Sequence, residues 1–234
     1  MTSVTIDSKC IKRILLDLKN IDSKLLADNN IFYYHDEENI LKGYAMIIGP
    51  KDSLYEDGYY FFEINFTTKY PFQPPIVKFK TYDGITRFHP NLYRDGKVCL
   101  SILNTWRGES WSSCQTLSTV LLTLVTLFTD KPFLNEPGVT EKYKDFKKYH
   151  NAIYYQNINH SILHYLTLDN IKENFQIFYP QILENFNLKK ADILKRCKDK
   201  LHLEPSIETI GIYNMHIYTN YSTLYKNVHD KINE

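Results

Sequence analysis

The sequence predicts an α+β fold: a four-stranded antiparallel meander packed on helices, with a helical extension at the C-terminus. Three observations carry that expectation. Four segments between residues 31 and 80 are rich in β-branched and aromatic residues and have no helix between them. An apolar run after residue 116 takes helical spacing, and so does most of the chain beyond it. Finally, 43% of the 234 residues are hydrophobic, enough to bury one sizeable core.

In chain order, Ile11, Ile14, Leu15, Leu18 and Ile21 recur at helical spacing over 5–21, with Thr5 or Asp7 placed as a cap. The opposite face carries Lys9, Lys12, Arg13 and Lys19, which reads either as a solvated face or as a docking face for an acidic partner. Strands are expected at 31–34, 43–48, 59–66 and 76–79, punctuated by Gly49-Pro50 and Asp57-Gly58. Their short connections favour antiparallel pairing. The prolines at 71, 74 and 75 make a rigid corner, because each removes a ladder donor. Phe72 is either displayed on the tip of that corner or buried as a plug.

Ser112 to Gln115 fits a capping box for a helix carrying Leu117, Val120, Leu121, Leu124, Val125 and Phe128, which Lys131-Pro132 would end. Asn135 to Gly138 forms a turn that could fold back towards Cys99. Further helices are expected at 143–166, 171–178 and 182–203, with Pro180 separating the last two, and one more within the aromatic tail 207–234.

Composition excludes several classes of function. A net charge of +1 with interspersed signs argues against nucleic-acid or membrane-surface binding. Cys10, Cys99, Cys114 and Cys197 are far apart, so neither a zinc site nor a disulfide framework is expected. There is no signal-peptide pattern and no apolar run of the roughly 20 residues that a bilayer requires. A cytoplasmic or nuclear chain with reduced thiols is expected, in which the sequons at Asn65, Asn159 and Asn220 are inert. His160 and His164 have ligand-like spacing but lack the acidic partner of an HExxH pair, so no metal is expected.

The segment 88–112 concentrates the chemistry. Pro90 and Asp95-Gly96 stiffen it, and Val98, Leu100, Ile102 and Leu103 can anchor it, which suggests that Cys99 is held open on a rigid shelf. Three readings of Cys99 are open: a small buried hydrophobe, a hydrolase nucleophile with His89 as base, or an acyl acceptor. The last needs no strong local base, since the donor arrives as an activated thioester. Asn91 offers an amide for a developing oxyanion or a brace for the loop. Glu136, with Asn135 as second choice, could hold an incoming lysine while its amine loses a proton.

His89-Pro90-Asn91 followed at the eighth position by Cys99, then Trp111-Ser112 and an apolar helix, resembles the ubiquitin-conjugating enzymes. The corner at 70–75 and the basic N-terminal helix fit the same pattern, so the likeness runs from residue 5 to about 165. It implies a core domain at 1–168 with the ubiquitin-conjugating fold, and an extension at 169–234 packed on or beside it. It also implies Cys99 as thioester acceptor and Asn91 as the motif amide, with His89 and Pro90 in support. Lys9, Lys12 and Arg13 would dock an activating enzyme, and Phe72, Trp111, Ser112 and Ser113 a ligase. The partners are then ubiquitin or a ubiquitin-like modifier, those two enzymes and protein substrates. No cofactor is implied, ATP being used by the activating enzyme, and the chain is expected to be a monomer.

The longer loop with Trp106, together with Asn135-Glu-Pro-Gly138, is similar to the type Z subfamily and to the conjugating domain of the inhibitor-of-apoptosis protein Apollon. The stretch 198–203 resembles the type Z C-terminal extension. Ser113 stands where the family's ligase loop usually has proline, and the acidic gate of simpler members has no clear counterpart. A rival reading is a non-catalytic ubiquitin-binding scaffold on the same fold.

Overall fold

The computed structural model describes residues 7–234. Helix α1 (Ser8–Lys19) starts where the Asp7 carboxylate accepts from the Lys9 N–H at 2.9 Å. Thr5 lies outside the described residues. The helix buries Cys10, Ile14 and Asp17, whereas Leu15 and Leu16 are each 51% exposed. The buried face is therefore turned from the expected stripe, and it includes an acid. A short helix, α2 (Ser23–Asp28), leads into the sheet.

Strands β1 (Ile31–His35), β2 (Lys42–Ile48), β3 (Tyr59–Asn65) and β4 (Ile76–Phe79) form an antiparallel meander in sequence order. Its register pairs Ala45 with Phe62 and Phe62 with Phe79. β2 and β3 are buried almost throughout, because both faces of the sheet are covered. On one face Tyr60 and Phe62 meet Phe128, which lies just beyond helix α3 (Leu117–Val125). On the other, Phe61 packs on Tyr165 and Phe175, with ring centroids 4.9 and 5.1 Å apart, and Tyr44 packs edge-on to Phe175. Fully burying one such phenylalanine contributes about 1.5–3 kcal/mol.

Helix α3 begins at Thr116, not Ser112. Thr116 and Thr119 cap each other, while the Gln115 side chain reaches back to the Ser112 N–H (3.1 Å) and closes a separate turn ahead of the helix. The helix also stops at Val125, so Pro132 ends nothing and instead opens a 3₁₀ turn, Pro132–Asn135. Helix α4 (Phe146–Gln156) continues through a π-helical turn (Asn157–Ile162) and a 3₁₀ turn (Leu163–Leu166). At the π turn the Asn157 side chain accepts from Tyr60 Oη (2.6 Å) and donates to the Glu56 carbonyl (2.9 Å).

The extension departs most from expectation. Residues Glu173–Phe178 form a 3₁₀ segment, and Pro180 lies in the first turn of helix α5 (Tyr179–Lys198), where a missing N–H costs nothing. The tail is not helical alone. It holds a hairpin of β5 (Ser206–Ile210) and β6 (Met215–Thr219) before helix α6 (Tyr221–Asn233). The side chains of β6 alternate between buried and exposed, and Asn214 takes the left-handed conformation (φ 45°) that closes the turn. The hydrophobic cores of 1–168 and 169–234 are continuous, with Ile182, Ile193, Met215 and Leu224 all fully buried.

Candidate active site

The loop carrying Cys99 is hung from the sheet by its backbone. The Phe79 N–H donates to Gly96 O (2.8 Å), and Leu92 bridges to both His89 and Val98. Gly96 sits at φ 87°, where a Cβ would stand 2.9 Å from Phe79 O, so this close approach requires glycine. Thr105 Oγ1 accepts from the Leu100 N–H (2.9 Å) and faces Val98 O at 2.7 Å, which fixes the far side of the cysteine.

Asn91 and Cys99 are locked together. The Cys99 N–H donates to Asn91 O (2.9 Å), and Asn91 Nδ2 donates to Cys99 O (2.6 Å). The amide thus occupies the bracing position here. The cysteine itself is 2% exposed, which corrects the expectation of an open thiol. Flanked by buried Val98 and Leu100 and bonded through both its backbone N–H and its carbonyl, it is sunk into the shelf.

His89 is fully buried and braces Asn91 from behind. Its Nδ1 accepts from the Asn91 N–H (2.9 Å), which puts the ring proton on Nε2, so the Asn135 side-chain amide 3.1 Å away pairs with it by turning its oxygen to the ring. Burial, together with the Arg87 charge, lowers its pKa from 6.5 to about 3. A neutral imidazole with its lone pair spent on the backbone is a positioning group, and this argues against His89 as the base of a hydrolase. Arg87 donates to His89 O (3.1 Å) and Pro90 O (2.6 Å), so the whole tripeptide is held by its carbonyls and its ring.

Glu136 lies next to Asn135, and its Oε2 accepts from Tyr213 Oη at 2.6 Å. Sequence reasoning named Glu136 but missed Tyr213, which is distant in the chain; only pairing of the tail into a hairpin brings it near.

The expected docking residues fall on one side. Trp111 Nε1 donates to Pro71 O (2.6 Å), joining its loop to the proline corner, where Phe72 is 75% exposed. Ser112 and Ser113 lie in that loop. On α1, Lys9 and Lys12 face solvent, but Arg13 does not stand with them. Its guanidinium donates to Asp17 Oδ1 (2.8 Å), Ser113 O (2.7 Å) and Gln115 O (2.6 Å), so it splints the loop. Asp17 was overlooked in the sequence. It also accepts from the Leu117 N–H (3.1 Å) and from the Tyr70 hydroxyl, tying α1, the corner and α3 to one carboxylate.

The remaining candidates recede. Burial raises the pKa of Cys10, and that of Cys197 to about 12, so both remain protonated. His160 and His164 stack on each other, and among the described residues no group of three or more His, Cys, Asp or Glu is placed to hold a metal. Among those residues no helix is long and apolar enough to cross a membrane.

A four-stranded meander with an H-P-N-to-cysteine shelf and a capped apolar helix behind it defines a ubiquitin-conjugating fold. Residues 13–162 match the family model described as ubiquitin-conjugating enzyme, and the chain belongs to that family. Within it, the chain is similar to ubiquitin-conjugating enzyme E2 Z, at 35% identity over 84% of its length to the proteins of both Xenopus tropicalis and Homo sapiens. It spans 63% and 55% of those two relatives. It is also 35% identical, over 75% of its length, to 4% of the human dual E2 ubiquitin-conjugating enzyme/E3 ubiquitin-protein ligase BIRC6.

Proposed function

We propose that this chain accepts ubiquitin or a ubiquitin-like modifier as a thioester on Cys99 and transfers it to a substrate lysine. The observation that carries this reading is the Asn91–Cys99 lock, backed by a neutral His89, in a member of the ubiquitin-conjugating family. The site has a nucleophile and a rigid mount but no strong base at the thiol. That suits exchange with a donor already activated by an ATP-dependent activating enzyme. In the transfer step the lysine nitrogen bonds to the thioester carbonyl carbon and the C–S bond breaks. Cys99 leaves as the thiolate, and Glu136 takes the proton that the amine gives up.

Lys9 and Lys12 would meet the activating enzyme. Phe72, Trp111 and the serines 112 and 113 would meet a ligase, with Arg13 holding that surface in shape. The chain would act as a monomer in the cytoplasm or nucleus. A charging assay tests the reading: with ATP, activating enzyme and modifier, wild type gains a thiol-sensitive adduct and Cys99→Ala gains none. An adduct on Cys99→Ala, or none on wild type with any activating enzyme and modifier pair, refutes it.

A further inference from the structure

We propose that Tyr213, at the tip of the C-terminal hairpin, is a positioning residue for transfer to lysine: its hydroxyl holds the carboxylate of Glu136, the residue after Asn135, whose side chain lies 3.1 Å from His89 Nε2. This deepens, and rests on, the conjugating function proposed above. Tyr213 lies outside residues 13–162, which match the family model, so nothing in the core pattern accounts for it.

The geometry singles out this hydroxyl. Tyr213 Oη donates to Glu136 Oε2 at 2.6 Å, a short charge-assisted bond. Burial, the neighbouring Tyr149 and that bond to Glu136 all push the phenol's pKa up, so it remains a donor at any physiological pH. The backbone that carries the ring is itself fixed. Arg94 Nη2 donates to Tyr213 O (2.8 Å), and the Gly211 N–H donates to Asp145 Oδ2 (3.0 Å) at the other end of the tip. The Arg87 guanidinium lies 5.3 Å from the Tyr213 ring centroid and 3.3 Å from that of Tyr93. Since Arg87 also holds the carbonyls of His89 and Pro90, the hairpin tip and the cysteine shelf share one anchor.

Glu136 has only this one side-chain partner among the described residues, and its backbone N–H donates to Phe133 O (3.1 Å). A carboxylate on a turn, free to rotate, would meet an incoming lysine in many orientations. Clamping one oxygen leaves the other to accept the amine's proton. The hairpin thus supplies a part of the transfer site that the core alone lacks.

The test uses the full chain, charged on Cys99 and purified from the activating enzyme, as wild type, Tyr213→Phe, Glu136→Gln and the double variant. Phenylalanine keeps the ring against Arg87 and removes only the hydroxyl. Discharge is followed to free lysine and, separately, to hydroxylamine, which is neutral at the assay pH and needs no base. The readout is the ratio of the two rates, which a general distortion of the thioester site leaves unchanged. Misplacing a reacting group costs up to about 10²-fold, and loss of this single bond is expected to lower the ratio about tenfold. In the Glu136→Gln background, Tyr213→Phe should lower it no further. An unchanged ratio in Tyr213→Phe, or an equal drop in both backgrounds, overturns the inference. Failure of wild type to charge is a separate result that removes the conjugating function and this inference with it.

Discussion

Acid should destabilise this protein through His89 in a way that one substitution removes. The imidazole is fully buried, accepts a backbone N–H at Nδ1 and has a pKa lowered from 6.5 to about 3. Well above pH 6.5 neither the folded nor the unfolded chain binds its proton, and the full stability is present. Between 6.5 and 3 only the unfolded chain binds it, so stability falls as pH falls. At pH 5 the unfolded histidine is almost wholly protonated and the folded one almost wholly neutral, a difference of about 2 kcal/mol. Urea unfolding at pH 8 and pH 5 measures it. Other buried histidines add to the wild-type slope, so the comparison is with His89→Gln. That variant should be less stable at pH 8 yet lose about 2 kcal/mol less than wild type on going to pH 5. Equal losses in both proteins would show that His89 takes up a proton in the folded state, and its assignment as a neutral brace would fail.

The same contacts set three further expectations. Asp17→Ala strands Arg13, the Tyr70 hydroxyl and the Leu117 N–H at once and should cost about 3–5 kcal/mol in chemical denaturation, where an exposed acid would cost almost nothing. Phe72→Ala, at a side chain 75% exposed, should alter stability by no more than about 0.5 kcal/mol. Its effect should instead appear as slower ligase-stimulated discharge, with charging by the activating enzyme intact. Truncation after residue 168 uncovers Phe61 and Tyr44 by removing Phe175, so the remaining fragment should bind a hydrophobic dye or aggregate. A fragment that unfolds as cooperatively as the whole chain would contradict the shared core.

The meander was legible because its strands announce themselves locally, and each expected segment lies within a residue or so of the observed strand. The same segments also encode what covers them. Residues 59–62 are Tyr-Tyr-Phe-Phe, and a strand apolar on successive residues has both faces covered. That run is the sequence's signal that the extension lies against the sheet. The hairpin was hidden for a different reason: its strands have only five residues each and sit in a tail read for helical spacing, although the apolar–polar alternation of β6 was the signal that could have shown it. At the site, motif spacing named Cys99, Asn91 and His89, and the fold brings the three into contact, since their geometry is set within one loop. It could not give the depth of Cys99, the diversion of Arg13 to the loop it splints, or the pairing of Tyr213 with Glu136. Those depend on segments that only the folded chain brings together.

The central claim is that Cys99 carries the modifier by its sulfur, and Cys99→Ser tests it most directly. Serine keeps the Asn91–Cys99 backbone lock and replaces the thioester with an oxyester. Charged in the presence of ATP and activating enzyme and then treated with excess thiol, wild type should release its modifier while Cys99→Ser retains it until base is added. An adduct on Cys99→Ser that thiol still removes, or an adduct of unchanged yield on Cys99→Ala, would place the acceptor elsewhere and contradict the account.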